Sequence, residues 1–166
     1  MTSAKTRWEG KYLRMVTLGD WEYVERVGGM TAVVLLAEHD GKVILVEQYR
    51  TPLGRRCLEL PAGLVGDEGA STVEDTALKE LEEETGFTAT GVERLGEFYS
   101  SPGMVAEGFT LVRMTGVAPG GAKSEEDIAV HLVARDRVSA FVAECREEGI
   151  AIDVKLLLLL AADMLG

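Results

Sequence analysis

Gly63-Leu64-Val65-Gly66-Asp67-Glu68-Gly69-Ala70-Ser71-Thr72-Val73-Glu74-Asp75-Thr76-Ala77-Leu78-Lys79-Glu80-Leu81-Glu82-Glu83-Glu84-Thr85-Gly86-Phe87 is the stretch on which the reading of this chain turns. Four carboxylates fall within five residues, from Glu80 to Glu84, and a glycine follows soon after. Val73, Ala77 and Leu81 recur at helical spacing, so the second half reads as a helix. Ser71 or Thr72 opens it, Ser71-x-x-Glu74 has the spacing of a capping box, and Gly86 ends it. On that helix Glu80, Glu83 and Glu84 stand at i, i+3 and i+4 and share one face. Like charges so placed repel, by about 0.2–0.5 kcal/mol per pair. A hard divalent cation selects carboxylate oxygens and would relieve the repulsion. The expectation is a metal-binding helix that serves phosphate chemistry. A solvated acidic helix face is the alternative.

The segments around this helix read as mixed strands and helices. Arg7 to Thr17 and Trp21 to Val27 alternate in part, which predicts two strands turning at Gly19-Asp20. Thr31 to Ala37 and Lys42 to Tyr49 are β-rich apolar runs, joined as a hairpin by Glu38-His39-Asp40-Gly41. Cys57 to Leu60 is a short strand leading into Pro61-Ala62-Gly63. Gly91 to Tyr99 and Phe109 to Gly116 read as strands around Ser100-Ser101-Pro102-Gly103. An acidic loop with Glu125, Glu126 and Asp127 precedes a strand from Ile128 to Ala134. Arg137 to Glu147 and Asp153 to Leu165 read as helices. The order is that of an α/β sandwich in one piece.

The 166 residues suffice for one domain with a full-sized core. Hydrophobic content of 46% and a mean hydropathy of +0.08 mark a folded globule. A net charge of −11 argues against a nucleic-acid backbone as partner. It is compatible with an acidic pocket that meets an anionic substrate through a metal. Cys57 and Cys145 lack metal-ligand spacing and read as reduced thiols of a cytoplasmic protein. There is no apolar N-terminal segment of the signal-peptide type. The five leucines from Leu156 to Leu160 are too few to span a membrane.

The stretch 63–87 resembles the Nudix box, whose pattern is Gly, five residues, Glu, seven residues, then Arg-Glu-aliphatic-any-Glu-Glu-any-Gly-aliphatic. Glu80 to Gly86 match it, and Phe87 supplies the hydrophobic end. Lys79 replaces the Arg, the loop after Gly63 is two residues longer, and Ser71 stands where the first Glu is expected. Glu68 is a candidate substitute. Outside the box, several features resemble the ADP-ribose and nucleoside-diphosphate-sugar pyrophosphatases of the same family. They are Gln48-Tyr49-Arg50, Glu59-Leu60-Pro61-Ala62-Gly63-Leu64, Ser101-Pro102-Gly103 with Glu107, and Glu125-Glu126-Asp127-Ile128. Pro102 follows Gly86 by sixteen residues, a marker of ADP-ribose hydrolysis in that branch. Gly10-Lys11-Tyr12 and Trp21-Glu22-Tyr23-Val24-Glu25-Arg26 resemble its N-terminal strands.

The resemblance implies one Nudix α/β/α sandwich over residues 1–166, with a mixed sheet. Residues 1–29 would form a small antiparallel sheet exchanged in a homodimer with shared sites. It implies hydrolysis of the diphosphate of ADP-ribose or a related nucleoside diphosphate sugar, without nucleic acid or membrane as partner. Mg²⁺, or Mn²⁺, would be held by Glu80, Glu84 and the carbonyl of Ala62, with Glu83 directly or through water. Glu82 would face solvent. Glu126 would be the base, with Glu125 second, since His39 and His131 sit on a turn and a strand. Arg50 would be the phosphate or nucleotide clamp, because its planar fork suits paired oxygens. Trp21 and Tyr12 would stack on the base, and Glu22 and Arg26 would bind its edge or the adjacent phosphate. Leu64, Ser101 and Glu107 would contact substrate, and Lys79 would position a neighbouring glutamate. A GDP-mannose-type pyrophosphatase and a non-catalytic nucleotide sensor of the same fold are the alternatives.

Overall fold

The computed structural model describes residues 3–66, 72–123 and 127–161. Along the chain the strands are β1 (Lys5–Glu9), β2 (Leu13–Leu18), β3 (Trp21–Arg26), β4 (Thr31–Leu36), β5 (Glu38–His39), β6 (Lys42–Arg50), β7 (Arg55–Glu59) and β8 (Ala62–Val65). Helix α1 (Val73–Thr85) follows, then β9 (Phe87–Thr88), β10 (Gly91–Tyr99), β11 (Gly108–Thr115), β12 (Ala118–Pro119) and β13 (Ile128–Ala134). Helix α2 (Val138–Glu147), β14 (Ala151–Ile152) and α3 (Leu157–Ala161) complete the order. No helix among the described residues is long and apolar enough to cross a membrane.

Two mixed sheets carry the core. One runs β10-β11-β4-β8, with β4 parallel to β11 and the other pairs antiparallel. The other runs β13-β6-β7-β14, with β14 parallel to β7 and β5 folded back on β6. From Ala32 onward strand β4 is apolar because both its faces are covered, as period-two alternation requires. Val33 and Leu35 pack with Ala77 and Leu81 of α1. Val34 and Leu36 pack with Leu45, Leu58, Val138 of α2 and Leu156. Helices thus cover opposite sides of the strands, which is the α/β/α arrangement expected.

Local chemistry sets the ends of α1. The Thr72 hydroxyl accepts from the Asp75 amide at 3.1 Å, so Thr72 is the N-cap. The Ser71 option lies outside the described residues. Gly86 closes the helix with φ of 75°, its amide donating to the Glu82 carbonyl at 2.8 Å. Arg94 of β10 grips Glu74 in the first turn with two bonds, at 2.6 and 2.8 Å. That grip holds the Glu74 carboxyl down to about 2.

The structure corrects four expectations. Strands β4 and β6 are not hairpin partners. Both edges of β4 are taken by β11 and β8, so β6 joins the other sheet. Only β5 and β6 form the hairpin, with Asp40 and Gly41 at positive φ in its turn. The single strand expected over 7–17 is two, because the Gly10 amide bonds the Leu13 carbonyl at 2.8 Å and turns the chain. The loop expected from Gly63 does not begin there, because Ala62-Gly63 opens strand β8. The last helix begins as a 3₁₀ turn over Val154–Leu156 before α3, and its end lies outside the described residues.

Leu81 is fully buried between α1 and β4. Leu81→Ala should lower unfolding stability by about 2–5 kcal/mol, as a partly collapsed cavity would. Urea unfolding measures this, and a loss below about 1 kcal/mol would contradict the packing described.

Candidate active site

The acidic face of α1 lies against β8. The Glu84 carboxylate, in a residue only 7% exposed, accepts from the Ala62 amide at 3.0 Å. One turn earlier, Glu80 crosses over Gly63. A methyl group on Gly63 would stand 2.1 Å from Oε1 of Glu80 and 2.2 Å from its Cδ. The glycine is therefore required by the close approach of a side chain, since its φ is ordinary. Glu83 turns to Lys79, at 3.7 Å, and both are nearly half exposed. Glu83 is therefore a glutamate within reach of the Lys79 ammonium. Glu82 differs from expectation. It is partly covered and accepts from the Ala122 amide at 3.2 Å, tying residues 121–123 to the end of α1.

Beside this lies a cleft of about 540 Å³. Ala62, Gly63 and Leu64 of β8 form part of its wall, and Arg50 and Glu59 another part. Arg50 lays its guanidinium on Glu59 through two bonds of 2.6 Å. Glu59 is 3% exposed, so the pair is half inside the protein. Hydrogen bonding to Glu59 raises the Arg50 pKa further, and the nearby charge of Glu84 adds to it. Arg26 and Glu107 also line the cleft and form an ion pair. They meet because β3 docks on the loop before β11, with Val24 bridging Val105. Cys57 lines the cleft too, and burial, reinforced by the Glu59 carboxylate, pushes its thiol up to about 12. It is a neutral thiol at physiological pH, not a nucleophile. A second cavity of about 350 Å³, bounded by Leu36, Met114 and Leu159, contains none of these carboxylates.

Of the residues singled out from sequence, Arg26, Arg50, Ala62, Leu64 and Glu107 line one cleft. Glu80 and Glu84 lie against the strand that walls it. Trp21, Glu22 and Tyr12 are exposed on the N-terminal sheet and do not line it within this chain. Ser101 is also outside it; its carbonyl accepts from the Met104 and Val105 amides and shapes the turn. Glu125 and Glu126 lie outside the described residues. Sequence reasoning missed Glu59, Asp153 and Lys155, all of which line the cleft. A glutamate inside the apolar run Cys57-Leu58-Glu59-Leu60 was the available signal for the first.

Among the described residues, no group of three or more His, Cys, Asp or Glu side chains is placed to hold an ion. Glu80 and Glu84 nonetheless fit a hard divalent cation, because they bring carboxylate oxygens to one short strand segment at its closest approach to α1. Gly63→Ala tests this. The atoms nearest the new methyl are Oε1, Cδ and Cγ of Glu80, a side chain rather than backbone, so the fold should survive once Glu80 moves aside, at a cost of about 1 kcal/mol. Displacement of Glu80 should weaken Mn²⁺ binding, followed by calorimetry, by about tenfold or more. Unchanged Mn²⁺ affinity would remove Glu80 from the ion site.

Comparison with known proteins agrees with this geometry. The family model of the NUDIX domain matches residues 28–151. An ADP-ribose pyrophosphatase of Bacillus subtilis is 44% identical over 86 residues, which are 52% of this chain and 44% of that protein. An ADP-ribose pyrophosphatase of Haemophilus influenzae is 33% identical over 141 residues, 75% of this chain and 64% of that one. The chain therefore spans less than two thirds of the length of either relative. A crystal structure of an ADP compounds hydrolase superposes with a TM-score of 0.67 at 18% identity, covering 85% of this chain and 80% of the other, and so shares its fold. The helix with its carboxylates, the glycine beneath them and the match over most of the chain lead to one conclusion: this protein belongs to the Nudix family.

Proposed function

We propose that this protein is a pyrophosphohydrolase that cleaves the diphosphate of ADP-ribose or a related nucleoside diphosphate sugar, giving a nucleoside monophosphate and a sugar phosphate. The observation that carries the reading is the approach of Glu80 and Glu84 to Gly63 and Ala62 at the wall of the cleft that contains Arg50. The relatives named ADP-ribose pyrophosphatase support the substrate class.

In this reading Glu80 and Glu84, with the backbone of Ala62, hold Mg²⁺ or Mn²⁺, and Glu83 contributes beside them. What such a cation supplies is neutralisation of phosphate charge and acidification of a nearby water. Arg50 receives the phosphate oxygens, its fork held ready by Glu59. Glu126, or Glu125 in its place, orients or deprotonates the attacking water. Arg26, Leu64, Glu107 and Ser101 contact the substrate, and Trp21, Tyr12 and Glu22 hold the base from the N-terminal sheet. That sheet serves a homodimer with shared sites, which would bring residues remote from the cleft in one chain to the cleft of its partner. The two buried, unbridged thiols suit a reducing compartment such as the cytoplasm.

Product analysis with ADP-ribose, ADP-glucose and GDP-mannose, each with Mg²⁺ and with EDTA, tests the activity. AMP and ribose 5-phosphate should appear from ADP-ribose only with metal, and Glu84→Gln should abolish turnover while retaining the fold. Preferential cleavage of GDP-mannose would shift the substrate assignment. Near-wild-type activity of Glu84→Gln would sink the metal assignment, and cleavage of none would favour a sensor. Light scattering tests the assembly, where about twice the 17.9 kDa chain mass is expected. A monomer at working concentration would rule out shared sites.

A further inference from the structure

One wall of the cleft comes from a stretch to which the reaction above gives no role. Strand β14 runs parallel to β7, pairing Ala151 with Cys57 and Ile152 with Leu58. The Asp153 amide donates to the Leu58 carbonyl at 3.0 Å, which completes the Ile152–Leu58 pair and directs Asp153 to the Glu59 end of β7. Adjacent strands lie about 4.8 Å apart, so this is one step across the sheet from the carboxylate that holds Arg50. Here the chain turns into a 3₁₀ segment. The Asp153 carboxylate caps it, accepting from the Lys155 amide at 2.8 Å. The same carboxylate also accepts from the Lys155 ammonium.

This lysine is not placed as a solubilising surface group would be. Its side chain is 24% exposed and that of Asp153 is 14% exposed. A lysine has about 2 kcal/mol of rotamer entropy, part of which is lost when it is held in this way. A single salt bridge with partial exposure repays little more than about 1 kcal/mol. Ile152, Asp153, Val154 and Lys155 all line the cleft. In a chain of net charge −11, three cations therefore face one cavity, each held by its own carboxylate: Arg26 by Glu107, Arg50 by Glu59 and Lys155 by Asp153. They come from three separate parts of the chain. Arg26 arrives with the N-terminal sheet, Arg50 ends β6, and Lys155 follows the edge strand β14. Compact, strongly hydrated and rich in donors, an ammonium suits phosphate oxygens as a point charge.

We propose that Lys155 is a substrate-binding residue of this cleft, that its ammonium meets the phosphate leaving with the sugar, and that Asp153 is its positioning residue. This rests on the pyrophosphatase reading. In that reading Arg26 binds the edge of the base or the phosphate next to the nucleoside, which leaves the β14 side to the sugar phosphate.

Steady-state kinetics with ADP-ribose and Mg²⁺ on Lys155→Met, Lys155→Arg and Asp153→Asn test the proposal. Lys155→Met should raise KM about tenfold, the loss of one charge-assisted hydrogen bond, and lower kcat less than about threefold. Inhibition by ribose 5-phosphate should weaken by the same factor, while inhibition by AMP should stay within about twofold. Lys155→Arg should recover most of both, and Asp153→Asn should fall between. Unchanged KM and unchanged ribose 5-phosphate inhibition would overturn the proposal. Equal weakening by both products would also overturn it, since it would indicate a distorted cleft. If the wild-type protein cleaves no nucleoside diphosphate sugar, the pyrophosphatase reading falls, and calorimetric binding of inorganic pyrophosphate with Mg²⁺ decides the role of Lys155 separately. An affinity about tenfold weaker in Lys155→Met upholds the lysine as a phosphate ligand, and equal affinity removes it.

Discussion

The structure depends on how α1 is seated. Ala77 and Leu81 must face β4 and β11, because burying them is the main apolar gain of the helix. Leu81 alone contributes on the order of 2 kcal/mol. With that face fixed, a pitch of 3.6 residues per turn carries Glu80 and Glu84 round to β8. The repulsion between them, a few tenths of a kcal/mol, is too small to rotate the helix away. Burying Glu84 is the larger cost, and the Ala62 amide offsets it by about 1.5–3 kcal/mol as a hydrogen bond to a charged group. Gly63 then allows Glu80 its close approach. Hydrophobic packing sets the rotation, and the site inherits it.

The cleft applies the same economy to positive charge. Arg50 and Glu59 form a pair half sheltered from water, and removing Arg50 would leave the buried Glu59 charge without this partner. Arg50 therefore keeps one orientation before any ligand arrives, with its fork already formed. An incoming dianion competes with a single carboxylate for that fork and has the advantage in charge. Meanwhile the carboxylate neighbours limit what the cations attract. A cleft of bare cations in an acidic protein would collect any anion, whereas paired ones respond best to multivalent phosphate. Cys57, between these groups, stays protonated because burial and the Glu59 carboxylate both oppose a second negative charge there.

Much of this was legible in the sequence because it is periodic or local. The i, i+3, i+4 carboxylates, the terminal Gly86 and the Thr72 option for the cap all follow from short-range rules, and α1 has the expected ends. The apolar runs at Thr31–Ala37 and Lys42–Tyr49 were correctly seen as strands. Their pairing was not, because edge occupancy is a property of the whole sheet: β11, distant in sequence, takes the place that a hairpin would fill. Strand β8 escaped notice because Pro61, Ala62 and Gly63 carry weak β propensity. Only the vacant edge of β4 makes Ala62 and Gly63 part of a strand. Lys155 was not singled out beside the leucine run. Its role depends on a two-residue parallel pairing with β7 that no pattern announces. Glu82 was expected in solvent because its position in the helix is variable, yet residues 120–122 return to the Gly86 and Glu82 end of α1 and cover it.

The N-terminal sheet stands apart from this logic. Its three strands lie off the two core sheets, and β1 is exposed along its whole length. Of β2, only Val16 is buried. Trp8, Tyr12, Leu13, Met15, Leu18 and Trp21 remain between 37% and 64% exposed. Three short strands with so little buried surface are marginal by themselves. What attaches them is the bridge from Val24 to Val105 and the pair from Arg26 to Glu107. That attachment brings Arg26 to the cleft, while the aromatic residues point to a surface that this chain leaves uncovered. A patch of this kind marks an interaction site. The shared-site homodimer proposed above would cover it and would supply stability to the sheet. The same contact would provide the aromatic wall absent from the cleft of a single chain.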